Sequence, residues 1–388
     1  MTTFGPLFVP AGMREAVSDV AWLDAMLDVE RALANALSLA GVIPAHIAAA
    51  IADKCDSSLY DIELLCDQGR AVGNPAEPLV RALREQVGGE EAKYVHHGAT
   101  SQDVIDSAMM IVARNARQLI DAALAGVERE CAGLAQAHRS TPMAARTLLQ
   151  QAMPTTFGYK AAGWLAEVSD ARALLAGAEL PAQLGGAAGT LAALGDDGPQ
   201  VRALFASELD LSGDDGLPWH THRQPIARLA SALASVASAC GKIGLDVVLL
   251  AQTEVAELAE REGGASSTMP HKQNPVRAVL ARACARAVHA QTALLASGEY
   301  EHERAAGAWH SEWNALSEAL AFAGGAAAAA HECLDGIRVD VVRMRANMRE
   351  ELLSERKASG DDDPDPMTYL GSAEAFVDTA LGRYEASA

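Results

Sequence analysis

Aromatic side chains are scarce in this chain of 388 residues, at 4%, while Ala and Leu are abundant. That imbalance favours helix over sheet. Positive charge is also short: 31 Lys and Arg face 51 Asp and Glu, for a formal net charge of −20 and a pI near 4.9. No local basic stripe offsets this, so a nucleic-acid partner is excluded. A small anion is still compatible if its site is a local island of Arg, Lys, His and helix N-termini. The six cysteines (Cys55, Cys66, Cys131, Cys240, Cys284, Cys333) are scattered without a CxxC pair and read as reduced, buried thiols. A charged n-region followed by an apolar h-region is missing from MTTFGPLFVPAG, so no signal peptide is expected. The apolar run at 243–251, IGLDVVLLA, is interrupted by Asp246 and is too short to span a bilayer. A cytoplasmic protein with no membrane partner is the expectation.

What is present is helical periodicity. Residues 18–40, SDVAWLDAMLDVERALANALSLA, open on a Ser/Asp cap and continue with apolar residues at helical spacing; Gly41 and Pro44 stop them. Further helices are predicted at about 102–138, 158–177, 225–262, 276–297 and 311–349, and nothing reads as a convincing strand. The fold class is therefore all-α. Such long helices, without coiled-coil charge patterning, suggest a large bundle whose faces are shared between subunits. Towards the end, 356-RKASGDDDPDP-366 reads as a charged linker before a short helix.

Three polar segments interrupt the helices: 94-YVHHGATSQD-103, 141-TPMAARTLLQQAMPTTFG-158 and 263-GGASSTMPHKQNP-275. Each adjoins a long helix, whose free N–H groups and positive dipole end suit a carboxylate. Thr100 and Ser101 are good N-caps, the plainer reading of either one alone, and candidate carboxylate ligands. Arg146, Thr147 and Gln150 could bind a carboxylate, with a surface ion pair the alternative for Arg146. In the third segment Gly263 and Gly264 permit movement, Ser266 and Ser267 offer base or nucleophile chemistry, and Lys272 with Asn274 offers anion stabilisation. A serine acts as a base only once its proton is lost, which a dry cationic pocket favours. His220 and His222 are spaced like metal ligands, but no partnering cluster follows, so neither a metal nor a cofactor is expected.

SSTMPHKQNP resembles the SSxMPxKxNP signature loop of the fumarase/aspartase superfamily. HHGATSQD and RTLLQQAMP resemble its HxGxTS and RTHxQxAxP segments, in the same order. The resemblance implies a helical homotetramer with a central bundle, each active site drawing its three blocks from three subunits. It implies a division into residues 1–98, a central bundle over 99–348 and a short remnant, 349–388, of a C-terminal helical domain that is largely deleted. By position Ser266 aligns with the catalytic base, and Ser267 is the competing candidate. Lys272 and Asn274 would hold the carboxylate that becomes an aci-carboxylate intermediate. Thr100, Ser101 and Gln150 would bind substrate carboxylates, and His96 matches the first-block histidine, a substrate ligand. Arg304, in HERAAG, is a further candidate for neutralising the substrate, and Gly185–Thr190 could present N–H groups to it or simply allow close packing.

Superfamily lyases carry His, the general acid, where this chain has Leu148. Leucine transfers no proton, so the leaving group must depart unaided. A carboxylate does so, with a conjugate-acid pKa of about 4. The 3-carboxy-cis,cis-muconate cycloisomerase branch performs that chemistry on a small tricarboxylate. VGNPAEPLV, QLGGAAGTLAAL, LPWHTHRQPIA and YEHERAAGAWHSEWNAL resemble it specifically, although members often carry Trp in place of His97 and Leu148. The rival expectations are another lyase, of the adenylosuccinate type, and a non-catalytic structural homologue.

Overall fold

A computed structural model describes residues 4–213, 216–265, 268–269 and 272–387. Helices of a dozen residues or more are, in chain order, α1 (Asp19–Leu39), α2 (Ala76–Val87), α3 (Ser101–Ala137), α4 (Phe157–Ala176), α5 (Gln224–Leu250), α6 (Val276–Leu295), α7 (Ala308–Leu334) and α8 (Ala373–Ser387). The chain forms two compact units: residues 1–119, 177–233 and 290–321 make the first, and residues 120–176, 234–289 and 322–388 the second. Each of α3, α5, α6 and α7 contributes one stretch to each unit.

In the first unit, α1 begins as its sequence dictates. The Ser18 hydroxyl accepts the Ala21 N–H at 3.2 Å, and Leu23, Met26, Leu27, Leu33 and Leu37 recur on its buried face. Gly41, at φ +80°, ends the run. The start of α3 is capped in reverse: Asp103 accepts the backbone N–H of Thr100 at 3.0 Å, the N3-to-N-cap half of a capping box.

In the second unit the helical expectation meets three small sheets. The segment read as an irregular polar break is a hairpin, β1 (Pro142–Thr147) pairing antiparallel with β2 (Gln150–Thr156). Its two-residue tip, Leu148 and Leu149, lies at φ +49° and +64°, the left-handed pair that a tight type I′ hairpin loop requires. Leu-Leu lacks the Asn-Gly signature of that turn, which is why the hairpin is hard to see in the sequence. The predicted 225–262 helix stops at Leu250, because the chain turns through Ala256 at φ +50° and enters β3 (Leu258–Ala259). Likewise the predicted 311–349 helix stops at Leu334; Gly336 turns at φ +69°, and β6 (Arg338–Val339) pairs with β3. Between them, β4 (Gly264–Ala265) pairs with β5 (Gln273–Asn274). The residue 356–366 linker is folded round Arg356, whose guanidinium reaches Asp361 at 2.8 Å and Asp363 at 3.1 Å. Beyond it α8 packs on α4, with Phe376 against Tyr159 and Arg383 paired to Asp170 at 2.8 Å.

Among the described residues α5 alone has the length and apolarity to cross a membrane. It buries Ile226, Leu229 and Leu233 in the first unit and Val236, Cys240, Ile243 and Val247 in the second, as a core helix does. Five cysteines are buried, as expected, whereas Cys66 is exposed. Burial pushes the Cys240 and Cys284 thiols up to about 12, which keeps them protonated.

Candidate active site

In the first unit the polar network is built on Asp103. This fully buried carboxylate accepts the N–H groups of Thr100 at 3.0 Å, Gly185 at 2.9 Å and Gly186 at 2.9 Å, and contacts His220 Nε2 at 2.7 Å. Glycine is needed at both loop positions. A Cβ on Gly185 would sit 2.8 Å from the His220 ring, and one on Gly186, at φ +69°, would sit 2.9 Å from the Gly98 carbonyl. The glycine-rich loop therefore spends these two N–H groups on a carboxylate of its own chain. His220 is likewise committed to Asp103, while His222 is exposed. Among the described residues no group of three His, Cys, Asp or Glu side chains is placed to hold a metal ion.

One helical turn along α3, Asp106 receives both terminal nitrogens of Arg223, at 2.7 and 2.9 Å, and the Trp309 indole at 2.9 Å. The same guanidinium reaches Glu312, which also accepts the Tyr300 hydroxyl. Arg223, Asp106 and Glu312 are all buried, so one cation faces two carboxylates away from bulk solvent. Burial pushes Glu312 above the usual carboxylate range, against the pull of Arg223. The network joins the first polar segment to LPWHTHRQPIA and to YEHERAAGAWHSEWNAL, which are remote in sequence.

Its outer edge carries the predicted ligands. Arg304 donates to the Thr100 hydroxyl and, at 3.3 Å, to Gln102 Oε1. Thr100 thus occupies the N-cap position, yet its hydroxyl serves Arg304 rather than the helix. Ser101, half-buried, makes no side-chain hydrogen bond among the described residues. His96 adopts the left-handed conformation at φ +63°, with Nδ1 2.6 Å from Glu30 of α1. Burial pulls the His96 imidazolium down, but the charge and hydrogen bond of Glu30, with Asp103 beyond, outweigh it and hold the ring above its ordinary value.

In the second unit, Arg146 makes a two-pronged pair with Glu257, at 2.6 and 3.0 Å, and Asn347 steadies the same carboxylate at 2.8 Å. Glu257 is fully buried, so this ion pair is an anchor for the hairpin rather than a loose surface contact. Thr147, Leu148, Leu149 and Gln150 are exposed beyond it, Leu148 at 97%. Asn274 donates from Nδ2 to the Gly264 carbonyl at 3.1 Å, closing the base of the signature segment. A Cβ on Gly264 would lie 2.4 Å from Val276, so the glycine is required there. Lys272 is exposed and makes no ion pair among the described residues. Ser266 and Ser267 lie outside the described residues.

Sequence reasoning missed Asp103, Asp106, Arg223, Glu312, Glu30 and Glu257. A signal existed for the first two. Gln102, Asp103, Asp106 and Ser107 repeat at helical spacing within an otherwise apolar stretch, which marks a buried polar face.

The fold is all-α, and the chain belongs to the lyase family of the fumarase/aspartase superfamily, whose sequence profile matches residues 11–289. Among its relatives, the 3-carboxy-cis,cis-muconate cycloisomerase of Bradyrhizobium diazoefficiens is 46% identical, over 89% of this chain and 80% of that protein. The nitrosuccinate lyase of Streptomyces davaonensis is 45% identical, over 91% and 79%. The crystal structure of 3-carboxy-cis,cis-muconate lactonizing enzyme from Pseudomonas putida matches with a TM-score of 0.90 at 35% identity, over 99% of each chain.

Proposed function

We propose that the chain is a 3-carboxy-cis,cis-muconate cycloisomerase acting on a small tricarboxylate in aromatic-compound degradation. The observation that carries this reading is Leu148, at the exposed hairpin tip where superfamily lyases carry their proton donor. With no acid there, the departing group must be a stable anion, and a carboxylate qualifies. In the lactonising direction a substrate carboxylate adds across a double bond, and a proton is delivered alpha to a second carboxylate. In reverse, the deprotonated hydroxyl of Ser266 removes the alpha proton, and Ser267 is the competing base. Lys272 and Asn274 stabilise the aci-carboxylate that forms, after which the ring carboxylate leaves. His96, Thr100, Ser101, Thr147, Gln150 and Arg304 bind the remaining carboxylates, and Arg146, paired with Glu257, orients the hairpin that carries Thr147 and Gln150. No cofactor takes part.

The protein works as a cytoplasmic homotetramer with shared active sites. Support comes from the hairpin, which presents two left-handed leucines, 97% and 74% exposed, next to candidate ligands. Such a tip is suited to packing against another copy. The domain division proposed is 1–98, 99–348 and 349–388.

A second reading is elimination of nitrite from nitrosuccinate. The relative at 45% identity supports it, and nitrite is also a stable anion that needs no acid. Loss of 3-carboxymuconate absorbance and release of nitrite from nitrosuccinate, measured on the same preparation, separate the two. Absence of muconate turnover alongside nitrite release would reverse the order proposed here. Ser266→Ala should lower turnover by about 10²–10⁴-fold, the usual weight of a positioned base. Full activity in that variant transfers the role to Ser267.

A further inference from the structure

Glu30, on α1, is the buried partner of the proposed ligand His96 and has no part of its own in the scheme above. The Glu30 side chain is fully enclosed, while its partner His96 keeps 15% of its side-chain surface exposed. Glu30 Oε1 lies 2.6 Å from His96 Nδ1, and among the described residues Glu30 Oε2 is buried with no hydrogen-bond partner. An enclosed carboxylate without a counter-charge is strongly disfavoured. The charged groups acting on the ring are Glu30 on α1, Asp103 on α3 and, in opposition, Arg84 on α2. His96 itself lies at φ +63°, a conformation uncommon for non-glycine residues.

We propose that Glu30 is a positioning residue that keeps His96 doubly protonated, so that Nε2 presents an N–H to a substrate carboxylate. The logic lies in the two ring nitrogens. Nδ1 is committed to Glu30, so a neutral ring that donates from Nδ1 carries a lone pair on Nε2 and repels a carboxylate. Only the imidazolium donates from both sides. Glu30 therefore converts a residue of ambiguous polarity into a fixed cation, in a chain with twenty more negative than positive charges. The role given to Nε2 rests on the proposed tricarboxylate substrate; the charge state of the ring does not.

Two measurements keep these apart. Histidine side-chain NMR on the full-length protein, with the His96 signal assigned through His96→Asn, reads the charge directly. In the wild type the ring should stay protonated to a pH above the ordinary value of about 6.5. In Glu30→Gln, which keeps an acceptor but loses the charge, it should titrate at least tenfold more readily, a shift of about one pH unit. A wild-type ring that titrates at or below the ordinary value overturns the proposal, and this needs no variant to fold and no substrate to react. Equal titration in wild type and Glu30→Gln overturns it as well. For the second measurement, KM for 3-carboxymuconate should rise about tenfold or more in Glu30→Gln at neutral pH, while kcat changes less. The difference should shrink as pH falls and the variant's ring regains its proton. A kcat loss with unchanged KM would sink the ligand role of Nε2, whereas absence of turnover in the wild type would sink the substrate assignment and leave the charge measurement standing.

Discussion

The Asp103 network of the first unit and the hairpin tip of the second differ in almost every physical respect. Around Asp103 and Asp106 each carboxylate is buried, each finds several donors, and glycines let the backbone come close. At the tip, two leucines stand in solvent in a conformation that costs about 1–2 kcal/mol per residue. The first region is determined by its own unit. The second is rewarded within its unit by closure of the hairpin alone, and its two leucine side chains are left uncovered.

The sharpest way to break the first region is Arg223→Met. It leaves Asp106 and Glu312 buried without their cation, and stability should fall by about 3–5 kcal/mol in chemical denaturation. A loss below 1 kcal/mol would mean that water or protonation already satisfies these acids. Asp103→Asn comes next, because an amide cannot accept from Thr100, Gly185, Gly186 and His220 together. A cost of about 1–3 kcal/mol is expected, with faster hydrogen exchange at Gly185 and Gly186. Unchanged exchange at those two amides would show that the loop holds itself. The smallest effect belongs to the tip: Leu148→Asn with Leu149→Gly should stabilise the isolated chain by up to about 1–2 kcal/mol, by relieving the left-handed strain. If the leucines pack against another copy, that gain is offset by weaker assembly, read as a higher dissociation constant in sedimentation. Unaltered assembly would leave the leucines as turn residues only.

The pair at His96 adds a pH dependence to this contrast. The ring's folded pKa is raised, so its contribution to stability is complete below the ordinary value of about 6.5 and fades as pH rises through the folded value.

Much of the fold was legible because long helices announce themselves by period: α3, α4 and α6 start and stop within two residues of the predicted bounds. The hairpin was not, since a register shift between Ala144 and Arg146 breaks the alternation of β1 and the turn is Leu-Leu. Nor were the ends of α5 and α7, where apolar periodicity runs on into β3 and towards β6 and only left-handed turns at Ala256 and Gly336 break it. Among the site residues, Arg304 and Thr100 were found from motif and charge, and the structure joins them. Glu30, inside α1, and Glu257, inside the predicted 225–262 helix, escaped because an acid in a helical pattern reads as a solvated face until its surroundings are known. The charged stretch before α8 misled in the opposite sense: its aspartates read as a charged linker, but Arg356 gathers Asp361 and Asp363.

The start of a long helix normally attracts foreign anions. Here Asp103 fills that place with an anion the protein carries itself. The negative charge of Asp103 opposes inorganic phosphate and sulfate at the N-terminus of α3, so the enzyme should tolerate them better than a helix start without an internal acid would. Selectivity for an organic polyacid then falls to side chains such as Arg304 and His96, which can be matched to the spacing of its carboxylates.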